Sequence, residues 1–407
     1  MQLWKKSIIG MITGILCGIF FRYHNYEYYS FMLNCIEVFS TLYTNALKMI
    51  IIPVVFFAVL FGIVNTSDIQ QFRKVGLKAV VVCVISAIIS SGIGLSLGIM
   101  MKPGNGVKIQ FEEENISRSG LGDFIGNIIP SNPFQAMCVG NTLQVVVFAF
   151  FIGIGILSTP HRDNSKKFVI AIAQIFFKVM EIVMNFAPYG VFAILSCMVA
   201  KHGCDVLHGL GKLSVVILIG LCTQYIIFLL IMWLIKVNPF RFQNKLFEIQ
   251  MLAFSTSSSK ACIVKAIHVL QHKLGVSGKI ANFVLPLSTS INMSAISISL
   301  SISALFFAQA LDITISIMDY FIIVLTSTLG AIGGAGIPSG TLVMMSLVLS
   351  SVGIPVSMIP LLMGFDRVLD MCRTVINITG DIVLTLVVAK IEGELDLFKC
   401  NKNEKAN

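Results

Sequence analysis

Long apolar stretches alternate with short polar connections along this chain, and the stretches have close to the length that a bilayer requires. Apolar runs cover residues 7–21, 43–64, 79–101, 142–157, 168–200, 213–235, 280–310 and 355–390. A helix needs about 20 predominantly apolar residues to cross the hydrocarbon core, so the pattern predicts eight membrane-spanning helices. Two further apolar stretches are interrupted midway. The first, 247–267, is broken by Ser-Thr-Ser-Ser-Ser-Lys at 255–260, and the second, 320–352, by Gly-Gly-Ala-Gly-Ile-Pro-Ser-Gly at 333–340. Each break leaves arms of about 10–14 residues, too short to cross and suited to a re-entrant hairpin. Irregular backbone is tolerated at membrane depth only where protein or a hydrated cavity receives it. A pair of broken segments in corresponding positions, each followed by a full span, points to a secondary transporter built from inverted repeats, with its site at the breaks. The predicted fold class is an all-α polytopic membrane protein with eight transmembrane helices and two re-entrant helical hairpins.

Composition agrees. Of 407 residues, 56% are hydrophobic and 12% charged, against about 25% charged in soluble domains, and the mean hydropathy is +0.89. A soluble enzyme is excluded. The net charge of +9 is explained by position: Lys5 and Lys6, then Arg73, Lys74 and Lys78, then Arg162, Lys166 and Lys167, then Lys236, Arg241 and Lys245, and finally Lys399, Lys402 and Lys405 fall in alternate connections. An intervening connection carries Glu112, Glu113 and Glu114. The positive-inside rule then places both termini in the cytoplasm of a multi-pass inner-membrane protein, with lipid rather than nucleic acid as its surroundings. Lys5 and Lys6 ahead of an apolar stretch imitate a signal peptide, but Arg22, Tyr23 and His24 follow in place of a small-residue cleavage site, so a retained first helix is expected. The ten cysteines lie singly, with no Cys-x-x-Cys, and are read as small hydrophobes.

The last span carries the chemistry: Gly364-Phe-Asp366-Arg367-Val-Leu-Asp370-Met-Cys-Arg373-Thr374-Val-Ile-Asn377-Ile-Thr-Gly-Asp381. Positions 366, 370, 373, 377 and 381 step by four, three, four and four, which puts them on one stripe of a helix. Charge at bilayer depth is expensive and must face a partner or a hydrated cavity. An internal ion pair of Asp370 with Arg373 accounts for only part of this stripe, and Asp366 fits a structural role in either case. The arginine offers a planar fork for a carboxylate, Asp370 accepts from an ammonium, and Asn377 donates to a second carboxylate. A small anionic substrate, a dicarboxylate with an amino group, satisfies all three. Asp381, one turn further on, suits a hard cation. The polar run Ser288-Thr-Ser-Ile-Asn292-Met293-Ser294 in the seventh span reads either as an unwound, cation-coordinating turn or as helix-packing serines.

The order of these elements, together with Lys48-Met-Ile-Ile-Ile-Pro53 and Ile128-Ile-Pro-Ser-Asn-Pro-Phe134, resembles the dicarboxylate/amino acid:cation symporter family, the bacterial and archaeal relatives of the glutamate transporters. The resemblance covers nearly the whole chain. It implies a homotrimer in which a transport domain (79–127 and 209–395) moves like an elevator against a scaffold (1–78 and 128–208), with 396–407 as a cytoplasmic tail. It also implies that Asp370 holds the substrate ammonium, Arg373 its side-chain carboxylate and Asn377 its α-carboxylate, with Thr374 beside them. By the same resemblance, Ser258 and Ser259 on the first hairpin and Ala335, Gly336, Ile337 and Pro338 on the second close the site. Asp381 with carbonyls of Ser288, Asn292 and Asn377 forms one sodium site, and carbonyls of Ser290, Ala331, Ile332 and Gly334 another. No cofactor is implied beyond the coupling ion, Na⁺ and/or H⁺.

The departures from the family pattern are specific. Its Asn-Met-Asp-Gly-Thr appears as Asn292-Met293-Ser294-Ala295-Ile296, and its Thr-Ser on the third helix as Ser86-Ala87. Fewer coupled sodium ions, or coupling to H⁺, are expected. Lys260 brings a positive charge near the first hairpin's tip and is read chiefly as a lysine snorkelling to the interface. His268 and His272 share i,i+4 spacing but lack a third metal ligand in the sequence nearby. Lys178 and Glu181 are expected to pair, and Pro188 to kink its helix. An intramembrane hydrolase using two of Asp366, Asp370 and Asp381 is disfavoured by the arginine in their midst, since acid/base work needs a carboxyl of raised pKa. A channel, or a carrier of the same fold with altered substrate or lost coupling, remains the other reading.

Overall fold

A computed structural model describes residues 3–23, 26–65, 73–107, 126, 129–160, 162–202, 204–334 and 340–401. The described chain is built from helices: α1 (Leu3–Tyr23), α2 (Tyr26–Asn65), α3 (Arg73–Met101), the short α4 (Pro133–Val139), α5 (Thr142–Ser158), α6 (Arg162–Asn185), α7 (Ala187–His202) and α8 (Cys204–Leu234). Then come α9 (Pro239–Thr256), α10 (Ser259–His272), α11 (Gly278–Ile291), α12 (Ser294–Ala310), α13 (Ile317–Gly333), α14 (Gly340–Ser351), α15 (Ile359–Ile391) and α16 (Leu397–Asn401). Five spans, Phe31–Phe61, Lys74–Met101, Leu207–Leu234, Gly278–Ala310 and Val368–Ile391, are long and apolar enough to cross a membrane. A sixth is the α6–α7 pair, bent by 53° at Pro188, where the sequence predicts a kink. The other two expected spans correspond to shorter apolar helices, Ile9–Tyr23 and Gln144–Ser158. Lipid-facing stripes are plain: on α8, Val215, Ile219, Ile226, Leu230 and Trp233 are all exposed at helical spacing.

Both pairs of hairpin arms form: the first arm of each is longer than predicted, at 18 and 17 residues, and the second, at 14 and 12, has the predicted length. The first hairpin begins at Asn238, whose side chain accepts from the Phe240 and Arg241 amides ahead of Pro239, and turns at Ser257 with φ 51°. The two buried polar residues of its first arm, Lys245 and Gln250, are both partnered. Gln250 donates to Thr379 at 3.1 Å, and the Lys245 ammonium is buried against the carbonyls of Lys273 and Cys400, both at 2.8 Å. Lys245 is therefore an internal staple where the sequence suggests an interfacial anchor. The staple holds α16, which also receives a hydrogen bond from Arg241 at the Asn401 carbonyl and accepts from the Asn238 amide through the Asn401 side chain at 2.8 Å.

The helices fall into two packing groups. α1, α2, α5, α6 and α7 pack chiefly on one another, and α3 packs with α8 to α15. Small residues set the closest approaches. Gly10, Gly14 and Gly18 line one face of α1 so tightly that an added Cβ would come within 2.3–2.7 Å of the carbonyl oxygens of Pro188, Phe192 and Ser196 on α7. On α3, a Cβ at Gly94 would come 2.6 Å from the Ile298 carbonyl oxygen. Beside it, Ser91 and Ser301 share a 2.8 Å hydrogen bond and Ser297 donates to the Ala87 carbonyl at 3.0 Å. Overpacking a buried seam costs about 1–3 kcal/mol, so Gly14→Leu is expected to lower the thermal midpoint of the detergent-solubilised protein by several degrees, whereas Gly155→Leu, where nothing lies within 4 Å, leaves it unchanged.

Candidate functional site

The site assembles where α15 crosses the break between α11 and α12. That break is real: Asn292 (φ −98°, ψ 109°) and Met293 (φ −126°, ψ 59°) leave the helix, at the polar cluster the sequence singles out. Pro286 within α11 removes one backbone donor. The Thr289 and Ser290 hydroxyls both donate to its carbonyl, at 2.9 and 2.8 Å. The Ser288 side chain is buried and accepts from the Cys83 thiol at 3.8 Å.

At the upper end of the α15 stripe, Arg373 is only 2% exposed. One of its terminal nitrogens lies 2.5 Å from an Asp366 carboxylate oxygen and 3.5 Å from one of Asp370, and donates also to the Asp366 carbonyl at 3.3 Å. The nearer partner is thus two turns back, where the sequence suggested Asp370 at one turn. Burial explains the choice, since Asp366 is enclosed while the Asp370 side chain keeps 16% of its surface. The Arg373 Nε has no hydrogen-bond partner, and the guanidinium borders a small void shared with Thr341 and Ser303. Thr374 donates back to the Asp370 carbonyl of its own helix at 2.7 Å.

Further along, Asn377 is tied to the break at both ends: its oxygen accepts from the Ala295 amide at 2.9 Å and its nitrogen donates to the Met293 sulfur at 3.1 Å. Asp381 accepts from the Asn292 side chain at 3.1 Å. Its second carboxylate oxygen and the Asn292 side-chain oxygen are both buried without a donor, as is the Ser294 hydroxyl. Gly380 permits this approach, since a Cβ there would lie 2.7 Å from the Phe228 ring and 3.4 Å from the Asn292 amide nitrogen. Burying oxygen acceptors without donors, at least one of them a carboxylate, is costly.

Ser258 caps α10 by accepting from the Ala261 amide at 3.4 Å, and Ser259 is buried. Ala331 is buried on α13, Ile332 adjoins it, and Gly334 sits against Ile296 of α12, with 3.6 Å between its would-be Cβ and Ile296 Cδ1. Ala335, Gly336, Ile337 and Pro338 lie outside the described residues. The Lys260 ammonium lies over the Phe61 ring of α2, 5.1 Å from its centroid. The His268 and His272 rings lie with centroids 4.5 Å apart, tilted by 38°, and among the described residues no three His, Cys, Asp or Glu gather into a metal site. Lys178 and Glu181 pair at 2.9 Å, as expected. Three participants escape sequence reading. Gln250 had a signal, a polar residue in an apolar arm, whereas Cys83 and Gly380 had none.

Comparison with known proteins follows the same lines. The sequence profile described as the Sodium:dicarboxylate symporter family matches residues 3–391. The chain is 29% identical to the Proton/glutamate-aspartate symporter of Escherichia coli (strain K12), across 98% of this chain and 95% of that one. It is likewise 29% identical to the Proton/sodium-glutamate symport protein of Bacillus subtilis (strain 168), over 95% and 92%, and to the C4-dicarboxylate transport protein of Rhodospirillum rubrum, over 97% and 89%.

Removing one member of a buried ion pair costs about 3–5 kcal/mol. Asp370 still flanks Arg373 in Asp366→Asn, so a loss at the lower end is expected. It is read as a fall in thermal midpoint in detergent that Asp163→Asn, whose side chain is 85% exposed, does not produce.

Proposed function

The chain belongs to the sodium:dicarboxylate symporter family, and from that premise we propose how this multi-pass membrane protein takes up an acidic amino acid, glutamate or aspartate, or a C4-dicarboxylate together with Na⁺ and/or H⁺. The observation that carries the reading is Arg373, a wholly buried guanidinium with an unpartnered Nε on the same stripe as Asp370 and Asn377. Arginine forks carboxylates bidentately. Substrate binding adds a further anion to a group that Asp366 holds in place and Asp370 flanks. In this reading Arg373 takes the side-chain carboxylate, Asp370 the ammonium and Asn377 the α-carboxylate, with Thr374 alongside. To reach the substrate, Asn377 gives up its contact with the Met293 sulfur, and a thioether is a weak acceptor, so the exchange favours a carboxylate. Ser258 and Ser259 from one hairpin, and Ala335, Gly336, Ile337 and Pro338 from the other, close over it.

Asp381 with carbonyls of Ser288, Asn292 and Asn377 takes the coupling cation, and carbonyls of Ser290, Ala331, Ile332 and Gly334 a second one. The bare oxygens of Asp381 and Asn292 support the first assignment. Asn377 belongs to both the substrate and the cation set, so occupancy of one orders the other. Ser294 offers only a hydroxyl, and the Ala87 carbonyl is engaged by Ser297, which supports fewer sodium ions or coupling to protons. The two packing groups of helices support a scaffold of 1–78 and 128–208 with a transport domain of 79–127 and 209–395 moving past it, in a homotrimer of the inner membrane with cytoplasmic termini.

Arg373→Gln is expected to abolish uptake of radiolabelled aspartate, glutamate and succinate in proteoliposomes, and unchanged uptake would sink the assignment. With the unaltered protein, uptake measured under a Na⁺ gradient alone and under a pH gradient alone decides the coupling. Either a proton-driven component or fewer than three Na⁺ per substrate is expected. Strict dependence on Na⁺ at three per substrate would contradict the reading of Ser294.

A further inference from the structure

Lys260 stands against the local rules for a charge on a hairpin. It is the second residue of α10, where the helix dipole disfavours a cation. The one acid of the first hairpin, Glu248, is taken by Lys265 at 2.8 Å, and among the described residues no carboxylate pairs with Lys260. The sequence suggests a lysine that snorkels to the interface; the structure instead turns its ammonium onto the Phe61 ring of α2, 5.1 Å from the centroid. That ring is itself braced by α6. Phe177 meets it edge-to-face at 5.8 Å between centroids, and one turn earlier on α2 Phe57 stacks on Phe176 at 5.0 Å.

The contact crosses the boundary between the two packing groups, since α10 belongs to one and α2 and α6 to the other. We propose that Lys260 and Phe61 form a latch between the tip of the first hairpin and α2, which holds the two groups in the arrangement seen here and limits the rate at which one moves past the other. The latch presupposes the proposed movement of a transport domain against a scaffold, and places part of its resistance in one pair of side chains. Such a pair must break whenever the hairpin tip leaves α2. Lys260 is exposed, and at an exposed site a cation on an aromatic face changes a rate by about two- to fivefold, the equivalent of about 0.5–1 kcal/mol. That is weak enough to break in every cycle and strong enough to be read in turnover. Lys260 adjoins Ser258 and Ser259 in sequence, but with its ammonium on α2 its effect falls on movement and leaves substrate affinity alone.

The test measures initial rates in proteoliposomes with radiolabelled aspartate, glutamate or succinate, whichever the natural chain carries fastest, per amount of reconstituted protein. Lys260→Met keeps the apolar stem and removes the charge, and Phe61→Leu removes the ring. Each is expected to raise the maximal rate by about two- to fivefold with KM unchanged, and the double variant to be no faster than either alone. Phe61→Trp, a stronger partner for a cation, is expected to lower the maximal rate in the natural chain but not together with Lys260→Met. An unchanged or reduced rate in Lys260→Met, an effect confined to KM, gains that multiply in the double variant, or a Phe61→Trp effect that persists without the lysine would overturn the latch. Absence of uptake by the natural chain would remove the transport reading and the latch with it, whereas normal uptake with unchanged variants removes the latch alone.

Discussion

The fold answers one constraint: a charge placed in hydrocarbon must be met by another group of the protein or by something the protein carries. Arg373 obeys it with Asp366 at 2.5 Å. Lys245 obeys it with backbone carbonyls of the connection after α10 and of the tail. Asp381 obeys it only halfway, with one oxygen satisfied by Asn292 and the other bare. Arg373 is also incompletely met, because its Nε has no hydrogen-bond partner although Asp366 holds a terminal nitrogen, and the proposed substrate and coupling-ion roles fall on these two charges.

Meeting the constraint requires backbone at membrane depth to be irregular in a few places and helices to come very close in others. The α11–α12 break exposes polar groups, and α15 fills the gap by sending Asn377 to the Ala295 amide. Gly380 lets Asn292 reach Asp381 past Phe228. The serines of α3 and α12 join the break to its neighbour through Ser91, Ser297 and Ser301. The same economy of size holds α1 on α7 along Gly10, Gly14 and Gly18. Without water to drive apolar association, close packing and interhelical hydrogen bonds supply the cohesion.

How much of this the sequence discloses depends on whether the relevant signal is local. Interrupted apolar runs are local, so both hairpins are legible, as is the α15 stripe from its four-and-three spacing, whereas the polar run at 288–294 fits a break and packing serines equally well until the structure shows Asn292 and Met293 leaving the helix. The partner of Arg373 is not legible, because Asp366 and Asp370 share its face and only burial separates them. Lys245 misleads for a related reason: a lysine near the end of an apolar arm looks alike whether it meets lipid head groups or the carbonyls of a folded tail. The glycine seam of α1 was written at i, i+4 and i+8, yet the surface it fits belongs to a helix more than 170 residues away by the numbering of Gly10 and Pro188. The first arm of the first hairpin runs longer than its apolar stretch because polar Gln250 continues the helix by meeting Thr379.

The claim on which the rest hangs is that substrate and coupling cation share α15 and communicate through it. Binding linkage makes this measurable, since a cation that raises substrate affinity must itself bind more tightly when substrate is present. The most direct measurement is calorimetric affinity for aspartate on the purified protein as Na⁺ and then pH are varied, in the natural chain and in Asp381→Asn. Affinity is expected to rise with the coupling cation in the natural chain, and this dependence to vanish in the variant while weak binding remains. An unaltered cation dependence in Asp381→Asn would contradict the shared site.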